Sequence, residues 1–509
     1  MKTEKFIHLP DPYPAETGTP DQRLKRKAEA GLKKRLALFK QPGSLFAAKA
    51  KEYKKRLNSE LRAIREAGIA NYILIAADIV DYARRKGIPV GPGLRSATAS
   101  LVNYSLGITK IDPIKYGLIF ERFLDSDPDQ LPSIDLDFCV ERRPEILRYA
   151  AKKYGKARFK QLVSFPRPRL RATVREVGRI LNLPLLKVNE ISRLIPWDSR
   201  NLKEAIEQEP RLKKKIASEP IVDQLFKIAV RIEDQFRLPT SYPSGFVLAD
   251  KPITDFLPLY QRREKAQPPF TLFDREEAKK LGLAVYDFLS LRVLTKIDRC
   301  VKLIQKKHCQ QIDIETIPLD DEKSWALFGK GDTDGVFVME AQGCRELLKR
   351  LKPQNIEELA AIDTLHRPGL EEKGIPDSYV RRKEGKEKIP KIHPGFDEIT
   401  RETLGLILYR EQVMMIAHRL AGFPMNAAYG FFKMVIQGES GARNLFLQGC
   451  ARKKIPKEKA AQIFNEILRV GSHAFLKSHA ISYALLSYQT VWLKANYPVQ
   501  FAASFSEDS

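Results

Sequence analysis

The sequence predicts a helix-rich α+β protein, and three observations carry that reading. Long charged stretches with apolar residues at helical spacing run from Asp21 to about Glu66 and again from Ser290 onward. Short β-type runs, IDLDF, SGFVLAD and LGLAVYDF, lie between them and are punctuated by Gly and Pro turns. The stretch from about Gln161 to Glu233, between the first run and the other two, is helical and charged, so one sheet is expected to resume after a helical insertion.

Each element follows in order. The lead-in (LKRKAEAGLKKRLALFK, then AKEYKKRLNSELRAIREAG) reads as a solvated basic helical segment in preference to a dedicated DNA arm. IANYILIAADIV is short and carries Asn71 and Asp78, so it reads as a buried helix and not as a membrane span. From Ile69 to Phe138 helical pattern alternates with β-type runs, giving a mixed α/β unit. Pro-bearing joints at PRPR and LIPWD mark the insertion, and KPQN, RPGLEEKGIPD and EKIPKIHPGFDE interrupt the helical region that follows. A chain of 509 residues exceeds what one core supports, so three or four domains are expected. The five cysteines are scattered with no C-x-x-C pair, which argues against a disulfide framework or zinc knot and fits a reducing cytoplasm. The MKTEKFIHLPDPYP start has no apolar signal core.

Charge narrows the partner. Lys and Arg number 88 against 63 Asp and Glu, a net charge of +25, so the field of the whole chain attracts a polyanion, nucleic acid first. Arg171, Arg175 and Arg179 recur every four positions and line one helical face, with Arg167 and Arg169 just before them. Arg345, Lys349, Arg350 and Lys352 form a second cluster, and RRKEGKEK (381–388) a third. Each alone is more often a solvated face than a binding site. The seven histidines form no H-x-H or H-E-x-x-H group, which excludes a His-based zinc or hydrolase site.

The chemistry concentrates in PSIDLDF. Alternation along a strand puts Ser133, Asp135 and Asp137 on one face and Ile134, Leu136 and Phe138 on the other. Two such carboxylates are either a clamp for Mg²⁺, a hard cation that takes oxygen ligands, or an exposed face that happens to be acidic. Asp287, between apolar residues in VYDFLSL, would complete a two-metal site if the fold brought it alongside. VGPGLRSATAS (90–100) reads as a phosphate turn: Gly91 and Gly93 shape it, and Ser96 to Leu106 is expected to begin a helix whose free N–H groups face an anion. Lys477 and His479 in LKSHAISYALLSYQ suit either a phosphate-facing helix start or a capping role.

At this point the residues resemble a family, the α subunit of bacterial DNA polymerase III, the C-family replicative polymerases. The likeness runs from about Leu57 to Phe501 through IPVGPG, LGITKIDPIKYGLIFERFL, PSIDLDFC, VREVGRILNLP, ITDFLPLY, YDFLSLRVLTKI, RELLKRLKP, LILYREQVM and KSHAISYALLSYQTVWLKANYP, in the family's order. The resemblance implies a DNA polymerase beta-like nucleotidyltransferase palm at 67–160 and 236–297, behind the basic segment 1–66. It also implies a helical thumb at 161–235 and helical fingers at 298–509. It further implies DNA as partner, primer-template or single-stranded, with other replication or repair proteins, no membrane, and a bacterial cytoplasmic, nucleoid-associated setting. Mg²⁺ or Mn²⁺ would be the cofactor of an active chain.

The departures fall on contacts to nucleotide and metal. The family strand reads P-D-x-D-x-D-F and uses its first two acids for metal, and here the first is Ser133; Asp135 keeps the second place and Asp137 matches the third. Asp287 matches the remaining ligand, while the family's Lys two residues earlier is Val285. In G-P-G-R-G-S the Arg becomes Leu94 and the Gly becomes Arg95, leaving Ser96. The fingers' Arg-Arg pair aligns with Lys433 and Met434, H-A-G-G-V-V-I becomes YPSGFVL (242–248), F-N-K-S-H becomes FLKSH (475–479), and F-G-T becomes Phe165-Pro166-Arg167. Ser96, Arg95, Arg122 of IFERFL, Lys433, Lys477 and His479 make up the candidate nucleotide-binding set. No His-rich polymerase-and-histidinol-phosphatase domain precedes the palm, and the clamp-binding region does not follow, so processive replication is not expected from this chain alone. The expected function is DNA binding with polymerase activity weak or lost. The alternatives are an active divergent polymerase using Asp135, Asp137 and Asp287, and a non-catalytic scaffold for a polymerase complex.

Overall fold

The computed structural model describes residues 9–37, 44–124, 131–166, 169–196, 199–235, 239–261, 268–367, 369–371 and 373–505. The chain divides into two compact units, one of residues 1–159, 244–253 and 279–509, the other of residues 160–243 and 254–278.

The first unit opens with helices Pro20–Leu36, Ser44–Glu66 and Ala70–Arg85. Thr19 and Gln22 form a reciprocal capping box, and Pro20 suits the first helical position because its missing N–H has no intrahelical partner there. Leu24, Ala28, Leu32 and Leu36 recur every four residues on one buried face. With Tyr53, Leu57 and Ile64 they join one core with the sheet residues Leu136, Phe138, Phe246, Tyr286 and Phe288. The lead-in is therefore not merely solvated helix: its apolar stripe is built into the sheet's core, and only the opposite face meets water. Helix Ala70–Arg85 is buried along most of its length, as expected, and ties itself to the sheet by Tyr72 Oη donating to Val285 O at 3.0 Å. Its Asp78 accepts from Tyr149, Tyr154 and Lys153. No described helix is long and apolar enough to cross a membrane.

Six strands are described: β1 Asp135–Cys139, β2 Phe159–Ser164, β3 Thr240–Leu248, β4 Leu259–Tyr260, β5 Phe270–Thr271 and β6 Ala284–Leu291. In the first unit β6 is central, parallel to β1 and antiparallel to the Gly245–Leu248 end of β3. The expected resumption of the sheet after an insertion is what this pairing produces. Every residue of β1 is buried, so the strand's acids do not lie on an exposed face. The rest of this unit is helical, with helix Lys477–Asn496 running through a second core lined by helices Glu322–Lys330 and Ile356–Leu365.

The second unit holds helices Leu170–Ile180, Leu185–Leu194, Leu202–Gln208, Pro210–Ser218 and Pro220–Ile232 around Val174, Val177, Ile191, Leu212 and Leu225. Gly178 permits the first two to close on each other, since a Cβ there would stand 2.6 Å from Val188 Cγ2. Within this unit β5 lies parallel to β2 at Gln161 and Phe270 and antiparallel to β4. Cys139, Cys300, Cys344 and Cys450 are buried thiols, Cys309 an exposed one, and none is in a disulfide.

Candidate active site

The parallel register of β1 and β6 sets Asp135 opposite Asp287, and Asp137 opposite Leu289. Facing residues on neighbouring strands point the same way with backbones about 4.8 Å apart, so the two carboxylates share one patch of the sheet. On the far side of β6, Asp287 faces Gly245, which has no side chain to cover it. Both acids are buried, at 2% and 4% exposure. Asp135 is engaged by the chain itself: Oδ1 accepts from Ser133 Oγ at 3.0 Å, and Oδ2 lies 3.3 Å from Arg95 Nε in an ion pair. Ser133, two residues earlier, is thus tied to Asp135 by its hydroxyl.

Asp137 has different surroundings. Gly91 N donates to its carbonyl at 2.9 Å, and a Cβ on Gly91 would stand 2.6 Å from Asp137 Cβ, so the glycine turn lies directly against it. Neither carboxyl oxygen has a hydrogen-bond partner among the described residues. Burial first, then the neighbouring charge of Asp135, pushes its pKa well up. Among the described residues no group of three or more His, Cys, Asp or Glu side chains is placed to hold a metal. The residues present therefore do not fit a pair of divalent ions: Ser133 offers a hydroxyl, Asp137 lies directly against the Gly91 turn, and a guanidinium pairs with Asp135.

The turn is anchored as a phosphate loop needs to be. Val90 bridges Phe138 of β1, Lys110 N donates to Pro92 O at 2.9 Å, and Lys110 Nζ, paired with Glu315 at 2.8 Å, donates to Val90 O. Gly93 sits at φ +89° with Thr109 Cγ2 2.6 Å from where a Cβ would be, so only glycine fits. Arg95 keeps a left-handed backbone, φ +54°, a conformation that favours glycine. The helix expected from Ser96 to Leu106 does not form as one element. A 3-10 turn, Arg95–Ala99, is followed by helix Leu101–Ser105, capped by Ser100 Oγ accepting from Asn103 N. The fully buried Glu60 accepts from Ser100 Oγ at 2.9 Å and Val102 N at 3.1 Å. A carboxylate of the protein therefore already occupies this helix start, and Ser96 is buried in the 3-10 turn. Arg35 reaches the carbonyls of Tyr104 and Thr109, and Arg56 those of Ala99 and Leu118, so cations of the basic lead-in brace this loop region.

The helix start at Lys477 is likewise filled. Glu411 accepts from Lys477 N at 3.0 Å and Ser478 N at 3.4 Å, while Lys477 Nζ pairs with Glu402 at 2.7 Å. The cap here is supplied by Glu411 of helix Arg410–Ala421. His479 packs edge-on to Phe475, with Tyr483 4.1 Å away between ring centres. Burial, reinforced by Arg367 and Arg95, lowers its pKa to about 4. Arg122 and Lys433 meet on one ring, 4.1 and 4.7 Å from the centre of Tyr429. Arg367 was not legible as a site residue: it lies in the RPG turn, stacks on Phe475 at 3.2 Å and pairs with Asp363 at 3.5 Å. The Arg-Pro-Gly triplet is the only local signal.

Of the arginine series, Arg167 lies outside the described residues. Arg169 is the exposed N-cap of helix Leu170–Ile180, and Arg171, Arg175 and Arg179 are exposed along it as the spacing predicts. Two of them also hold the fold: Arg171 donates to Ile195 O at 3.0 and 2.6 Å, and Arg175 to Ser192 Oγ at 3.2 Å. The other basic clusters are largely balanced in place, Arg345 by Asp334, Arg350 by Asp377, and Arg381 and Arg382 by Glu387.

The structure thus sets two buried aspartates in register on adjacent strands beside a glycine turn, in a helix-rich and strongly basic α+β chain. Residues 22–290 match the bacterial DNA polymerase III alpha NTPase domain, and residues 293–454 the bacterial DNA polymerase III alpha subunit finger domain. The chain belongs to the bacterial DNA polymerase III alpha subunit family. It is 38% identical over 516 residues to DNA polymerase III subunit alpha of Caulobacter vibrioides, covering 99% of this chain and 44% of that one. It is 36% identical over 506 residues to the subunit of Escherichia coli K12 (97% and 44%) and 35% over 513 residues to that of Aquifex aeolicus (95% and 44%). The chain thus spans less than half the length of these curated relatives.

Proposed function

We propose that this chain binds primer-template DNA through a polymerase framework in which nucleotidyl transfer is weak or lost. The observation that carries the reading is Arg95 Nε standing 3.3 Å from Asp135 Oδ2, a cation paired with the strand's surviving ligand position. Ser133 in place of a further carboxylate and Asp137 set against the Gly91 turn support it. Losing one electrostatic contact to a transition state commonly costs about a hundredfold or more in rate, and here several are altered together. On this reading the sheet of the first unit is the palm, the helices of the second unit the thumb, and 298–509 the fingers. The setting is the bacterial cytoplasm at the nucleoid, among replication or repair proteins.

The second reading, an active divergent polymerase, is favoured by one observation, the register of Asp135 with Asp287. It requires Mg²⁺ or Mn²⁺ held by those two residues with help from Asp137. Primer extension with each metal separates the two readings: the first expects no extension above a Ser133→Asp control series, and extension abolished by Asp287→Ala would establish the second. Binding to primed DNA across a salt series tests the third reading, a scaffold without a DNA role. Phosphate contacts impose a steep salt dependence, and weak, salt-insensitive binding would favour the scaffold.

A further inference from the structure

Two acids in register on neighbouring strands, both buried, repel one another unless a cation lies between or beside them. The nearby Lys110 is not that cation, because its ammonium pairs with Glu315 and donates to Val90 O. The cation that pairs with Asp135 is Arg95, and it does so from a left-handed backbone conformation, φ +54°, that L-residues rarely adopt. Ser133 donates to Oδ1 of Asp135, and Arg95 approaches Oδ2 as an ion pair at 3.3 Å without a hydrogen bond.

We infer that Arg95 is the resident cation of this site, a guanidinium standing on ground that a divalent ion would otherwise take, so that Asp135 is charge-balanced without a metal. The inference rests on the reading of the site as a nucleotidyltransferase relic, and it adds the cause: metal is displaced by a built-in positive charge, beyond the loss of one ligand. Arginine suits this role because its guanidinium stays charged at any working pH and presents several donors to a carboxylate. Its side chain is more than half exposed, so it can be swung or cut away without emptying the core.

The test is Mn²⁺ binding to the full chain, followed by electron paramagnetic resonance, with thermal unfolding in Mn²⁺ and in chelator as a second readout. The wild-type chain is expected to bind weakly at this site and to unfold at the same temperature in both conditions. Arg95→Gly and Arg95→Gln, one relieving the backbone and one keeping it, are each expected to tighten Mn²⁺ at least tenfold, about 1.4 kcal/mol. Their unfolding is expected to become metal-dependent, and Asp135→Asn should remove the gain. Arg95→Lys retains the charge and is expected to behave as wild type. Wild-type affinity within twofold of both neutral variants, or tight wild-type binding lost in Asp135→Asn, would overturn the inference. Primer extension is scored separately, so an Arg95→Gly chain that gains metal but extends nothing supports the inference and leaves the reading of lost activity standing.

Discussion

Gly31, in the middle of the first helix, lies so close to Ser105 that a Cβ on it would overlap the Ser105 carbonyl oxygen. A glycine inside a helix costs about 1 kcal/mol relative to alanine, so this one is explained by the backbone approach and not by helix preference. Gly31→Ala is expected to lower the thermal midpoint despite its better propensity, because overpacking against backbone costs about 1–3 kcal/mol. An unchanged or raised midpoint would show that the lead-in helix can slide away from the helix it buttresses.

Arg171 and Arg179 share a helix face but differ in attachment. Arg171 is bonded twice to Ile195 O and so ties helix Leu170–Ile180 to the end of the next one. Arg171→Ala is expected to cost about 1 kcal/mol, a few degrees in midpoint, along with some affinity for DNA. Arg179→Ala is expected to leave the midpoint in place while reducing the salt slope of DNA binding by about 1. Equal loss of stability in both variants would mean that the exposed face has no role separable from packing.

Some of this was open to reading from residues alone and some was not, for physical reasons. The strands around Asp135 and Asp287 follow from their apolar runs and turns, and the helical insertion from what separates them. Their register does not, since a shift of two residues keeps every side chain on its own face and only the packed sheet decides. The helix expected at Ser96 fails because Glu60, forty residues upstream, accepts from Ser100 and Val102 and fixes a break there. The buried stripe Leu24, Ala28, Leu32, Leu36 is legible at four-residue spacing, but the surrounding lysines and arginines draw attention to the solvated face. Arg367 gives almost no local signal because its partner Phe475 is far along the chain. Where positions were read one at a time, the cations already paired within the fold could not be told from the exposed ones.

Glu411 is buried and takes the first two N–H groups of helix Lys477–Asn496. Removing the acceptor leaves those donors without a partner in a closed environment, a cost of about 1–3 kcal/mol. Glu411→Ala is therefore expected to lower the midpoint and to speed hydrogen exchange in the helix's first turn. Glu411→Gln keeps an acceptor and loses the charge that favours a helix N-terminus, so its loss is expected near 0.3–1 kcal/mol, roughly. Indistinguishable exchange in wild type and Glu411→Ala would show that water caps this helix equally well.

His479 supplies a pH dependence with a definite sign. Burial, then the charges of Arg367 and Arg95, lowers its pKa from 6.5 to about 4. Between those values the unfolded chain holds a proton that the folded chain refuses, so stability rises with pH across the window and is lost as pH falls from 6.5 toward 4. Below about 4 both states are protonated and the penalty is complete. His479→Gln cannot titrate, so its thermal midpoint is expected to fall less steeply than that of wild type over the same interval. Other groups titrate in both chains and cancel in the difference. Parallel curves for the two chains from neutral pH down to 4 would mean that the ring is hydrated in solution and that the arginines around it do not act on its proton.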